Sequence, residues 1–149
     1  MENTVAITDA FTVAKFEPGK EEFARVAEDG FRSIVSLQVG DEEQKVPPEE
    51  ERRLAEEAGL AFYHQGVSKQ DLSDEEVDRF RDRLENLPKP VLLHCSSGKR
   101  AGAMTMMHVA SEQDMSGDEV ISKAEEMGFE CDTPELEAFV KSYVDRHGG

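Results

Sequence analysis

The stretch Val91-Leu92-Leu93-His94-Cys95-Ser96-Ser97-Gly98-Lys99-Arg100-Ala101-Gly102 constrains this chain more than any other. Three apolar residues after Pro90 read as a short strand buried in the middle of a parallel sheet. The next residues turn tightly around Gly98, which is free to take a positive φ. From Ala101 onwards apolar residues recur at helical spacing. Strand, short loop and helix together aim backbone N–H groups and a helix N-terminus at one point, where an anion is stabilised. A cysteine at the head of such a loop is expected to ionise readily, because the N–H dipoles and the Arg100 cation favour the thiolate. Cys95 is therefore the candidate nucleophile and Arg100 its anion clamp. A lone cysteine at a strand end is ordinarily packing. Packing gives no reason, however, for Gly98, Lys99, Arg100 and a helix start to follow so closely in an acidic chain.

The 149 residues suffice for one domain, taken as 1–149, that buries roughly two-thirds of its unfolded surface. A net charge of −16 argues against nucleic acid and anionic membranes as partners. Against that charge the adjacent Lys99 and Arg100 stand out as a local anion trap. Two cysteines, no apolar run of 18 residues and no signal-peptide pattern point to a reducing cytoplasm. In that compartment a Cys95–Cys131 bridge is not expected, and Cys131 reads as a packed cysteine before the last helix. No metal or other cofactor is expected. His94 and Cys95 are neighbours on opposite faces of a strand, and His64, His108 and His147 show no ligand spacing. Met104, Met106 and Met107 read as core filler, and His108 as packing or surface.

Taken in order, Val5 to Ala14 predicts one or two short strands, and Glu17-Pro18-Gly19-Lys20 a turn. A helix over 20–29 sets Phe23, Val26 and Ala27 on one face and ends at Gly30. Ser33 to Leu37 is a strand, and Val39 to Pro48 a polar loop. Pro48 opens a helix that Gly59 stops, with Leu54 and Ala55 inward. Leu60 to His64 is a strand, followed by a loop over Gly66 to Leu72. Ser73-Asp74-Glu75-Glu76 is a capping box for a helix reaching Asn86, with Val77, Phe80 and Leu84 inward. Ser116-Gly117-Asp118-Glu119 and Thr133-Pro134 open two later helices. Strands alternating with helices give an α/β fold with a mostly parallel central sheet flanked by helices, most of them on one face.

On three features, Gly-Phe-Arg-Ser-Ile-Val at 30–35, the Gly59-to-His64 junction and the His-Cys-x-x-Gly-x-Arg loop, the chain resembles a known family. It is the phosphatase-like domain of β-lactamase-hydrolase-like proteins, within the protein tyrosine/dual-specificity phosphatase superfamily, and the resemblance spans roughly residues 4–113. It implies a dual-specificity-phosphatase-like fold and a cysteine-based phosphatase acting on a small anionic substrate or a phosphoprotein. By the same resemblance Cys95 attacks phosphorus to give a phosphocysteine that water hydrolyses. The N–H groups of residues 96–100 (Ser96, Ser97, Gly98, Lys99 and Arg100) and the Arg100 guanidinium hold the phosphoryl oxygens. His94 matches the family histidine that orients the loop and favours the thiolate. Lys99 is expected to face solvent and attract anions. The superfamily takes its general acid from an aspartate on an earlier loop, where the candidates are Asp71 and Asp74. Asp74 falls in a first helical turn, where a carboxylate is common anyway, which leaves Asp71.

Three features depart from that superfamily. Four residues, not five, separate Cys95 from Arg100; Ala101 stands where a hydroxyl residue usually follows the arginine; and no acid-loop motif is recognisable. The four-residue spacing matches rhodanese-type sulfurtransferases, in which a tight ring of N–H groups suits the terminal sulfur of a persulfide. Sulfur transfer through a Cys95 persulfide needs no carboxylic acid. A third alternative is a phosphate-binding module without turnover, against which an intact Cys95 and Arg100 speak.

Overall fold

The computed structural model describes residues 4–16, 18–38, 46–67, 73–95, 99–127 and 134–147. Strands β1 (Thr4–Ala6), β2 (Phe11–Ala14), β3 (Ser33–Ser36), β4 (Ala61–His64) and β5 (Val91–His94) form one sheet in the order β1-β2-β5-β3-β4. Among the described residues only the β1–β2 pair is antiparallel; β2, β5, β3 and β4 run parallel. Helices α1 (Glu22–Glu28), α2 (Pro48–Glu57) and α3 (Asp74–Asn86) connect the parallel strands. Helices α4 (Lys99–Glu112), α5 (Gly117–Glu126) and α6 (Pro134–His147) follow the last strand. The α/β class and the mostly parallel sheet read from the sequence are therefore observed.

β5 lies inside the sheet with a partner on each side, and that explains its unbroken apolar run. Val91 and Leu93 enter the core formed with α3 to α6, whereas Leu92 joins Ala14, Ile34 and Ala55 beneath α1 and α2. All three are fully buried, each worth about 1.5–3 kcal/mol against exposure. Four of the six helices cover one face, as expected. The most enclosed is α4, in which every residue from 101 to 111 is buried. A helix apolar all round belongs in the middle of a layer, and Met104, Met106 and Met107 do fill its core. The helix begins at Lys99, two residues before the apolar pattern starts.

Caps set the other boundaries. Gly30 and Gly59 take φ of +98° and +83° just beyond α1 and α2, the left-handed conformation that ends a helix. At α3 the Ser73 hydroxyl accepts from Glu76 N–H at 3.3 Å, the first half of the predicted box. The reciprocal box forms at α5, between Ser116 and Glu119. Gly117, next along, is held to α6 by its N–H, which donates to Asp145 Oδ1 at 2.7 Å. A Cβ there would lie 2.8 Å from the Lys141 carbonyl oxygen and 2.9 Å from its Cα. Backbone cannot yield as a side-chain tip can. Gly117→Ala should therefore lose about 1–3 kcal/mol, outweighing the gain in helix propensity of up to about 1 kcal/mol. Urea unfolding of the two proteins checks it.

His108 is packed, one of the two roles expected of it, and it carries polar contacts as well. It is 2 % exposed and sits in a polar chain linking three helices. Arg81 Nε donates to His108 Nδ1 at 3.3 Å, and the other ring nitrogen meets Glu112 Oε1 at 2.7 Å. Arg81 Nη1 also reaches the Tyr143 hydroxyl at 3.2 Å, which donates to Asp78 Oδ1 at 2.6 Å. Burial, aided by the Arg81 and Lys89 charges, holds the His108 pKa below the ordinary histidine value against the pull of Glu112 and Glu85. The unfolded chain then binds the extra proton first, so this contribution is complete above about pH 6.5. It is lost as pH falls through the folded value. Unfolding free energy measured from pH 8 to pH 5 should drop over that window, and His108→Gln should flatten the drop.

Candidate active site

The four parallel strands end in one register row: Ala14 of β2, His94 of β5, Ser36 of β3 and His64 of β4. In an open sheet of this kind ligands gather beyond such C-terminal ends. The chain leaving β5 there meets the start of α4. Cys95 is fully buried and packs in the core shared with α4, and its Sγ accepts the Ala101 N–H at 3.4 Å. Ala101 belongs to the first turn of α4. A backbone donor at a helix N-terminus thus faces the sulfur, as the strand–loop–helix pattern predicts.

Side chains alternate along a strand, so His94 turns to the opposite layer. Its Nε2 lies 2.5 Å from Glu51 Oε2 on α2, and both side chains are 2 % exposed. Polar side chains this deeply buried need hydrogen-bond partners, and the two supply each other with one. Nδ1 of His94 is buried and has no hydrogen-bond partner among the described residues. Glu51 is the functional candidate that sequence reasoning missed. Its signal was available: with Leu54 and Ala55 it lies three and four residues along one stripe, an acid on the apolar face of a helix. The first turn of α2 also favours a negative side chain. The row is closed at its other end by His64, whose Nε2 lies 2.6 Å from the Gln38 carbonyl oxygen.

Other candidates fall as follows. Lys99 and Arg100 are the first two residues of α4; their side chains, Ser96, Ser97, Gly98, Asp71 and Cys131 lie outside the described residues. Asp74, the other acid considered, pairs with Arg146 Nη2 at 2.6 Å and so joins α3 to α6. A cleft of about 520 Å³ lined by Thr8, Phe11, Glu85, Lys89, His108 and Glu112 opens by Phe11, the first residue of β2. That is the end of the sheet away from Cys95. Among the described residues no helix is long and apolar enough to cross a membrane.

This architecture recurs in solved phosphatases. Tk-PTP superposes with a TM-score of 0.81 at 20 % identity, over 97 % of each chain. P. aeruginosa TpbA, solved in complex with pTyr, gives 0.75 at 17 % identity over 97 % of this chain and 88 % of its own. The core catalytic domain of the S. cerevisiae PP-IP phosphatase SIW14 gives 0.75 at 21 %, over 95 % and 85 %. In sequence, the β-lactamase hydrolase-like protein of Xylella fastidiosa is 30 % identical over 115 residues, 76 % of this chain. That of Agrobacterium fabrum is 28 % identical over 98 residues, or 65 %. The chain spans about a quarter of these relatives' length, 27 % and 22 % respectively. Residues 4–129 match the family described as the phosphatase-like domain of β-lactamase hydrolase-like proteins, and the chain belongs to that family.

Proposed function

We propose that this domain hydrolyses phosphomonoesters through a phosphocysteine formed on Cys95. The observation that carries the reading is the sulfur itself, set at the end of the central strand with the Ala101 N–H directed at it. Such donors stabilise negative charge on sulfur and, one step later, on phosphoryl oxygens. In the first step the Cys95 thiolate attacks phosphorus in line. An S–P bond forms as the ester P–O bond breaks, and the leaving oxygen takes a proton from Asp71. Water then attacks phosphorus and gives its proton to the Asp71 carboxylate. The S–P bond breaks, releasing inorganic phosphate and the thiolate. Arg100 clamps the phosphoryl oxygens in both steps. The substrate class is a small phosphorylated molecule or a phosphoprotein. The crystallised pTyr of TpbA and the PP-IP specificity of SIW14 support that range. A nucleophilic thiolate has to stay reduced, which fits a cytoplasmic setting.

A second reading rests on the four residues between Cys95 and Arg100. In it the thiolate attacks the outer sulfur of thiosulfate and sulfite leaves with the S–S bonding pair. The resulting persulfide then passes its outer sulfur to cyanide as thiocyanate. One preparation assayed for p-nitrophenyl phosphate hydrolysis and for thiosulfate-to-cyanide transfer separates the two, with Cys95→Ser as the blank. The expected result is phosphate release that disappears in Cys95→Ser, with no thiocyanate. Thiocyanate without phosphate establishes the second reading. Phosphate binding without either product, unchanged in Cys95→Ser, makes the domain a binding module.

A further inference from the structure

We infer that Glu51 is a positioning residue for Cys95, acting through His94; this rests on Cys95 being the nucleophile of the proposed reaction. The two residues at the end of β5 are anchored on opposite faces of the sheet. His94 is tied to α2 by the 2.5 Å contact with Glu51, and the Cys95 sulfur to α4 by the Ala101 N–H. Along the strand the main chain is fixed by the sheet, where Leu37 N–H donates to the His94 carbonyl at 3.0 Å. Rotation of the strand end about its own axis, which would re-aim the sulfur, is resisted by the two side-chain anchors. Removing either releases that rotation.

The chemistry of the pair fits this role better than a stabilising one. A buried polar pair gains little net stability over apolar residues of the same size. Here one sits next to the candidate nucleophile, within an otherwise apolar layer of Ala14, Ile34, Ala55 and Leu92. With Nε2 held by Glu51, the ring cannot turn. Nδ1, two bonds from Cβ, therefore stays beside the main chain where β5 becomes the loop. That atom has no hydrogen-bond partner among the described residues.

The test is the rate at which iodoacetamide alkylates Cys95 at pH 6, followed by peptide mass mapping to separate Cys95 from Cys131. Wild type, Glu51→Gln, His94→Asn and the double variant are compared, with p-nitrophenyl phosphate kinetics alongside and thermal unfolding to establish folding. Glu51→Gln keeps the size and an acceptor oxygen but not the charge that grips Nε2–H, so it should fold. Its alkylation rate and kcat should fall about 10- to 100-fold, with KM little changed. The double variant should lose no more than His94→Asn, because Glu51 acts only through that ring. Multiplying losses in the double variant, or folded Glu51→Gln alkylating at the wild-type rate, overturn the inference. If the alkylation cycle holds while no variant releases phosphate, the positioning role stands and the phosphatase reading falls.

Discussion

Arg100→Lys should lower kcat/KM for p-nitrophenyl phosphate by about 10²–10³. Lysine keeps the charge but not the planar fork that binds two phosphoryl oxygens at once. The loss should fall mainly on kcat, because the fork fits a trigonal-bipyramidal phosphoryl group better than a tetrahedral one. Lys99→Ala supplies the comparison. Lys99 lies one position before Arg100 and carries the same charge, yet the expected effect is a rise in KM at low salt that vanishes as ionic strength screens it. If Arg100→Lys costs no more than Lys99→Ala, the loop attracts anions without clamping them. For the sulfur-transfer reading the same substitution should be mild, since a terminal sulfur makes no bidentate contact.

How far the sequence carried this site depends on whether partners are near or far along the chain. Cys95, its strand and the helix after it are contiguous, so their order alone announces a strand–loop–helix unit. The strand-end apolar run at 91–93 and the glycines closing α1 and α2 are local signals of the same kind, and the structure has them where expected. The start of α4 at Lys99 was less legible. Charged residues in a first turn add nothing to an apolar period, so the apolar pattern starts only at Ala101. Tertiary polar pairs leave weaker traces. Glu51 meets His94 across 43 residues, and Tyr143 reaches Arg81 and Asp78 across 62 and 65. Two of the α2 residues flanking Glu51 are also glutamates, Glu49 and Glu50, which makes the buried one look like another solvated charge. Only its place on the stripe of Leu54 and Ala55 sets it apart.

Glu51→Leu should destabilise the domain by about 1–3 kcal/mol, because it removes the partner that a buried imidazole has among the described residues. That is a large share of the roughly 5–15 kcal/mol that holds a typical domain together. Adding His94→Leu should restore most of the loss. Two leucines beside Ala14, Ile34 and Leu92 join an apolar layer already in place, and no polar atom is left to desolvate. Urea unfolding of the wild type, both single variants and the double variant measures the coupling directly. A double variant as unstable as Glu51→Leu would mean that the two side chains support the fold independently, through packing. Recovery of stability without recovery of Cys95 reactivity has the opposite meaning. The domain then folds as well on leucines as on the polar pair, and what the pair maintains is the aim of the sulfur at the end of β5.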